Sequence, residues 1–243
     1  MKKTFLFAAS VVLLASCKKE AITISNGADT ALATPAATKQ NIASNARIDL
    51  ESRLEGWLPF EGTIADSLDK LKCYNLSNYH LPTFVAGHRG RDKALNFDGS
   101  YAMWTNYSTP QKTNTIAVWV KKPMNNRTCE IISSDHNAPA LYQAGYGYGA
   151  TVGSINNPAA YTKNIVDSNW HHAVITWDGL TVKFYLDAVY QSSISSSLPY
   201  GTGYLLLGYT HFSGIDYWKG ALDELRIYSR VLTQDEITAL YKL

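Results

Sequence analysis

Paired carboxylates, histidines and aromatic rings are the side chains here that could do chemistry, and their spacing decides which chemistry. Hydrolysing a glycosidic bond takes two carboxyl groups about 5 Å apart for retention and somewhat more for inversion. On one strand that means acids at alternate positions, because alternate side chains share a face. The run sought is Glu-x-Asp-x-x-Glu-like, and none is present. Glu130 and Asp135 are five residues apart and Asp223-Glu224 are adjacent, so each pair falls on opposite faces of a regular strand. A catalytic pair would have to be assembled from separate strands. His171-His172 meet the same objection: adjacent strand residues point to opposite faces and cannot both ligate one ion from a regular strand. There is no His-Glu-x-x-His and no Gly-x-Ser-x-Gly, so zinc peptidase and esterase chemistry lack a starting point. No four-cysteine or Cys/His spacing suggests zinc either.

Rings are plentiful, with sixteen Tyr and six Trp. Sugars offer C–H faces that stack on aromatic rings and hydroxyls that need polar partners. Two stretches fit that need. In the first, Asp135-His136-Asn137 leads into Tyr142, Tyr146 and Tyr148, with glycines at 145, 147 and 149 that let the backbone bend toward a ligand. In the second, Tyr209-Thr210-His211-Phe212 leads to Asp216-Tyr217-Trp218. Asp135, His136, Tyr142, Tyr146 and Tyr148 are the expected carbohydrate-binding residues. The competing reading is that tyrosine is a good strand residue and these rings cover sheet edges or fill core.

The chain start sets where such a site would work. Met1-Lys2-Lys3 precedes an apolar run from Phe5 to Leu14. A basic start and a short apolar run make a secretory signal, too short for a spanning helix of about 20 residues. Leu14-Ala15-Ser16-Cys17 resembles the bacterial lipobox, which implies cleavage before Cys17 and lipid on that cysteine. The expected organisation is a signal peptide over 1–16, a flexible tether over 17–46 and one domain over 47–243. The tether is rich in Ala, Thr, Ser and Asn and has no aromatic residue, so it buries too little to offset its ordering entropy. Lys2 and Lys3 account for the whole net charge of +2. The balanced remainder gives no electrostatic case for nucleic acid. Acyl chains would instead hold the protein to a membrane, in the bacterial cell envelope and expectedly at the outer membrane. Lys18-Lys19-Glu20 only partly resembles signals for surface display. Cys73 and Cys129 remain, and an exported chain permits a disulfide that nothing in the sequence requires.

The domain reads as strands. Residues 54–60, 94–97, 115–121, 129–133, 171–177, 181–187, 204–208 and 221–228 are short, aromatic or β-branched, and bounded by Gly, Asn, Asp or Ser. Val182, Phe184 and Leu186 alternate with Lys183, Tyr185 and Asp187. Asp178-Gly179 between two such runs predicts a hairpin with a type I′ turn. At the C-terminus Thr233-Gln234-Asp235-Glu236 is a capping box, Leu232 and Ile237 form a staple, and Ile237, Leu240 and Tyr241 make an apolar face.

Three segments carry a family resemblance. Asn169-Trp170-His171-His172-Ala173-Val174-Ile175-Thr176-Trp177-Asp178-Gly179, followed by Val182-Lys183-Phe184-Tyr185-Leu186-Asp187, is similar to the W-H-H-V-A-x-T-x-D-G and x-x-L-Y-x-D-G strands of laminin-G-like domains. Gly220 to Thr233 resembles their closing G-x-I-D-E-V-R-I-Y-N-R-A-L-S, and Ala94-Leu95-Asn96-Phe97-Asp98-Gly99 their early A-L-x-F-D-G. The ordered set covers roughly 54–241 and resembles the laminin-G-like branch of the concanavalin A-like lectin/glucanase superfamily. Ala188 departs from the Gly that usually follows Asp, which puts the 187–191 turn in question.

The resemblance implies an all-β fold, a two-sheet antiparallel jelly-roll sandwich with one concave sheet and a short C-terminal helix. It also implies one structural calcium ion at Asp223, with oxygens from an early loop in which Asp66 is the available carboxylate. Asp66-Ser67-Leu68-Asp69 lacks the Gly of the family's Asp-x-Ser-Gly, and calcium needs six to eight oxygens. The alternative is that Asp223 caps a turn or pairs with Arg226 or Arg230. The function expected is non-catalytic, lipid-anchored recognition of a glycan. A protein-binding adhesion or scaffold domain is the alternative, and a glycoside hydrolase or lyase of the same fold comes after it.

Overall fold

The alternation at 181–187 is a strand with both faces in use. Val182, Phe184 and Leu186 are buried in the main core and Lys183 is exposed. Tyr185 is buried on the opposite face, in a second cluster with the C-terminal helix residues Ile237 and Leu240. The structure is a computed structural model and describes residues 48–76, 80–108, 114–134, 139–152, 159–161, 165–195, 203–210 and 216–243. Cys17, the tether, Asp135 and His136 lie outside the described residues.

Two antiparallel sheets make the domain. The first runs in the order β13 (Val189–Ser195), β12 (Thr181–Leu186), β11 (His171–Trp177), β6 (Asn114–Lys121), β17 (Lys219–Tyr228), β4 (Lys93–Asp98) and β3 (Thr83–Ala86). β1 (Leu54–Leu58) also pairs with β17. The second runs β10 (Ala159–Tyr161), β9 (Gly147–Val152), β8 (Pro139–Ala144), β7 (Thr128–Ser134), β14 (Tyr204–Leu207), β5 (Met103–Ser108) and β2 (Cys73–Asn75). Two short strands, β15 (Tyr209–Thr210) and β16 (Asp216–Tyr217), pair separately. Between the sheets lie Leu58, Phe97, Val118, Ile131, Trp177, Leu207, Trp218 and Leu222, all buried. Each such apolar side chain contributes roughly 1.5–3 kcal/mol by leaving water. Cys73 and Cys129 are unbridged thiols. No helix among the described residues is long and apolar enough to cross a membrane.

β17 has two successive partners along one edge. Lys219–Leu222 pair with β4, and Leu225–Tyr228 pair with β1. Where it changes partner, the register against β6 slips between Asp223 and Arg226, and Glu224 takes φ 51°. A bulge of this kind re-aims side chains, here a run of Asp, Glu and Arg.

Two turns exchange the roles expected from sequence. β11 and β12 pair through Trp177 and Val182, but of the residues between them only Gly179 has positive φ. Type I′ needs two such residues, so the expected turn type is not formed. The Asp178 carboxylate instead accepts the Leu180 and Thr181 amides at 2.9 and 2.7 Å, closing the loop as an Asx turn. The I′ signature appears one hairpin later. Asp187 (φ 51°) and Ala188 (φ 63°) form the two-residue link between Leu186 and Val189. Alanine therefore stands in the left-handed position where glycine costs least.

The helix α1 (Gln234–Tyr241) starts as its sequence says. Thr233 Oγ1 accepts the Glu236 amide at 3.3 Å, and Glu236 Oε2 accepts the Thr233 amide at 2.7 Å. Leu232, Ile237 and Leu240 pack with Leu54, Ala117, Val174 and Tyr228 on the outer face of the first sheet.

Candidate functional site

The second sheet leaves rings on its outer face. In β5, Met103, Thr105 and Tyr107 are buried, so Trp104, Asn106 and Ser108 point the other way. Trp104 is opposite Tyr74 of β2 on one side and Leu206 of β14 on the other. The Tyr74 and Trp104 rings stack with centroids 4.5 Å apart and planes 20° apart. Trp104 and Tyr204 sit 5.2 Å apart at 58°. Tyr74 is 40% and Tyr204 51% exposed, with Trp104 half-buried between them. Three rings from three adjacent strands thus make one exposed row.

Polar groups border the row. Asn106, exposed on the same face two residues from Trp104, accepts the Lys72 amide on its side-chain oxygen at 2.8 Å. Ser108 is exposed opposite Tyr204. Cys73, behind Tyr74, offers no nucleophile: burial pushes its thiol up to about 12. The row was missed in the sequence because its members are 30 and 100 residues apart. The one local signal was the alternation of Met103-Trp104-Thr105-Asn106-Tyr107-Ser108.

Of the glycan residues expected from sequence, the three tyrosines do not share one exposed surface. Tyr142 and Tyr148 are 1% and 0% exposed, on strands rather than loops. The Tyr142 ring lies over Gly149, where an added Cβ would meet its Cζ at 2.5 Å. Tyr148 is in the main core, and burial raises its phenol. Only Tyr146, in the β8–β9 turn, reaches solvent, at 37%. Asp135 and His136 are outside the described residues. In the second stretch Trp218 is fully buried, donating to Gln143 at 3.3 Å.

His171 and His172 face opposite sides, as adjacent strand residues should. His171 lies between Asp187 (2.8 Å) and Asp167 (3.1 Å), and its pKa is raised, mainly by the Asp187 hydrogen bond. His172 is buried against Trp119 and Tyr241, and desolvation holds it down at about 3.

The expected calcium ligands Asp66 and Asp223 each have other partners. Asp66 Oδ1 accepts the Trp57 amide at 2.7 Å, and Oδ2 accepts the Lys70 and Leu71 amides at 2.7 and 2.8 Å. Both oxygens are engaged in holding their own loop. Asp223 instead meets His88, whose amide and Nδ1 lie 2.9 and 2.7 Å from Oδ2. An amide donor and an imidazole nitrogen in place of oxygens do not fit calcium. The arginines considered as partners are taken elsewhere, Arg226 by Glu224 and Arg230 by Glu236, each at 2.8 Å.

Similarity to known proteins agrees with the fold. Domain 4 of AbnA, a GH43 extracellular arabinanase from Geobacillus stearothermophilus, solved in complex with arabinotriose, superposes with TM-score 0.61 at 19% identity, over 78% of this chain and 98% of that one. The binding domain of botulinum neurotoxin DC, solved with rat synaptotagmin II, gives 0.60 at 12% identity, over 79% and 51%. The binding domain of Paraclostridial Mosquitocidal Protein 1 gives 0.61 at 14% identity, over 79% and 52%. The chain thus spans about half the length of the toxin domains. No curated protein matches it. The model of the concanavalin A-like lectin/glucanases superfamily matches residues 96–238, more than half of the chain, and the chain belongs to that superfamily.

Proposed function

We propose that this protein is a non-catalytic binding module that recognises a glycan on the outer face of its second sheet, held in the cell envelope by lipid at Cys17. The observation that carries the reading is the row Tyr74–Trp104–Tyr204, three exposed or half-exposed rings on neighbouring strands with Asn106 and Ser108 beside them. Rings stack on sugar faces while the amide and hydroxyls take sugar hydroxyls. The row itself holds no carboxylate pair, which suits binding rather than hydrolysis. A neighbour of the same fold solved with arabinotriose supports a sugar as the ligand class. Affinity is expected in the micromolar to millimolar range, since a few stacked rings contribute modestly.

The test is binding of the full chain to a panel of immobilised envelope, plant and host glycans. Retention on at least one, competed by the free sugar, is the expected result. Retention on none removes the glycan reading. A protein ligand then takes its place, favoured by Leu76, 46% exposed and two residues on from Tyr74. Anchoring is tested separately: Cys17→Ser is expected to leave the membrane fraction. Salt-resistant membrane association of that variant would contradict the anchor.

A further inference from the structure

On the other sheet, His88, Asp92 and Asp223 bring one nitrogen and two carboxylates within 4.8 Å of one another. We propose that this cluster is a binding site for a divalent ion of the zinc class, ligated by His88 Nδ1, Asp92 Oδ2 and a carboxylate oxygen of Asp223.

The nitrogen and the carboxylates are placed for ligation, and one oxygen of each carboxylate is unengaged. His88 Nδ1 is 2.7 Å from Asp223 Oδ2 and 3.6 Å from Asp92 Oδ2. Ligands at 2.0–2.1 Å around a tetrahedral ion sit about 3.3 Å apart, and these separations bracket that value. Asp92 Oδ2 and Asp223 Oδ1 are buried and take no hydrogen bond. The three side chains are 6, 10 and 0% exposed. A divalent ion would offset the charge of two adjacent carboxylates, of which Asp223 is fully buried and Asp92 partly so.

The surroundings fix the ligands. The His88 ring stacks on Trp119 at 4.4 Å and 14°, which sets its direction. Its backbone amide donates to Asp223, and the Arg89 amide donates to Asp92 Oδ1. Such outer hydrogen bonds orient metal-bound carboxylates. Gly87 makes the approach feasible: a Cβ there would come within 2.5 Å of Asp92 Oδ1 and 2.7 Å of Asp223 Oδ2. The partner change of β17 from β4 to β1 puts Asp223 opposite Trp119 at the same point. The imidazole nitrogen, low ligand number and amide donors select a borderline ion over calcium.

The test uses the full chain without a polyhistidine tag, stripped with chelator and dialysed. Zinc chloride is expected to bind once per chain by calorimetry and to raise Tm by several degrees, with calcium chloride doing neither. Cobalt in its place is expected to give the intense visible absorption of a tetrahedral centre. His88→Gln and Asp92→Asn are each expected to weaken zinc more than about a hundredfold, since they remove ligands and not merely their supports. The wild-type measurements stand even if a variant fails to fold. Absence of zinc binding to wild type, a calcium response in its place, or zinc binding unchanged in both folded variants would overturn the site.

Discussion

Asp187 Oδ2 lies 2.8 Å from His171 Nδ1, and its other oxygen accepts the His172 amide at 2.9 Å. One turn carboxylate therefore serves two histidines of opposite character. His171, raised above its ordinary value, contributes stability that is present below about pH 6.5 and lost as pH climbs through its folded value. His172, held at about 3, contributes stability that is present above pH 6.5 and lost as pH falls toward 3. NMR titration of the ring protons is expected to find His171 titrating above the usual histidine range. His172 is expected to stay neutral through pH 5. A His172 midpoint near 6.5 would contradict its burial.

Ala188 occupies a left-handed position, φ 63°, next to Asp187 at φ 51°. Non-glycine residues lose about 1–2 kcal/mol there, part of which glycine returns as chain entropy. Ala188→Gly is expected to stabilise by about 1 kcal/mol, or roughly 2–4 °C in Tm for a domain of this size. A fall in Tm would mean that the alanine methyl, packed against the helix-side cluster, outweighs the strain.

Thr233→Ala removes the oxygen that accepts the Glu236 amide. The expected cost is about 1 kcal/mol, read as a lower urea midpoint with unchanged slope. The helix covers Val174 and Tyr185 as well as capping itself, so a cost near zero would show that packing alone holds it.

What could be read from sequence was local. Thr233 and Glu236 are one helical turn apart, and the structure has both of their reciprocal bonds. Val182, Phe184 and Leu186 alternate over six residues and are buried together. What depended on pairing between distant segments was not legible. Tyr74, Trp104 and Tyr204 meet only because β2, β5 and β14 are adjacent. His88 reaches Asp223 across 135 residues. The glycines at 145, 147 and 149 suggested backbone that bends toward a ligand. Here Gly149 lies in a strand and makes room for the Tyr142 ring. Asp66 looked like a ligand because its backbone partners, Trp57, Lys70 and Leu71, could not be seen in the sequence.

The central claim is that the row of rings, and not the buried tyrosines, meets the ligand. The direct measurement pairs Trp104→Ala with Tyr148→Ala and follows both binding to the retained glycan and Tm. Trp104→Ala is expected to weaken binding at least about tenfold while Tm moves only a few degrees. Tyr148→Ala, at 0% exposure, is expected to lose about 3–5 kcal/mol of stability. Trp104→Ala binding the glycan as wild type does, with the fold intact, would contradict the account.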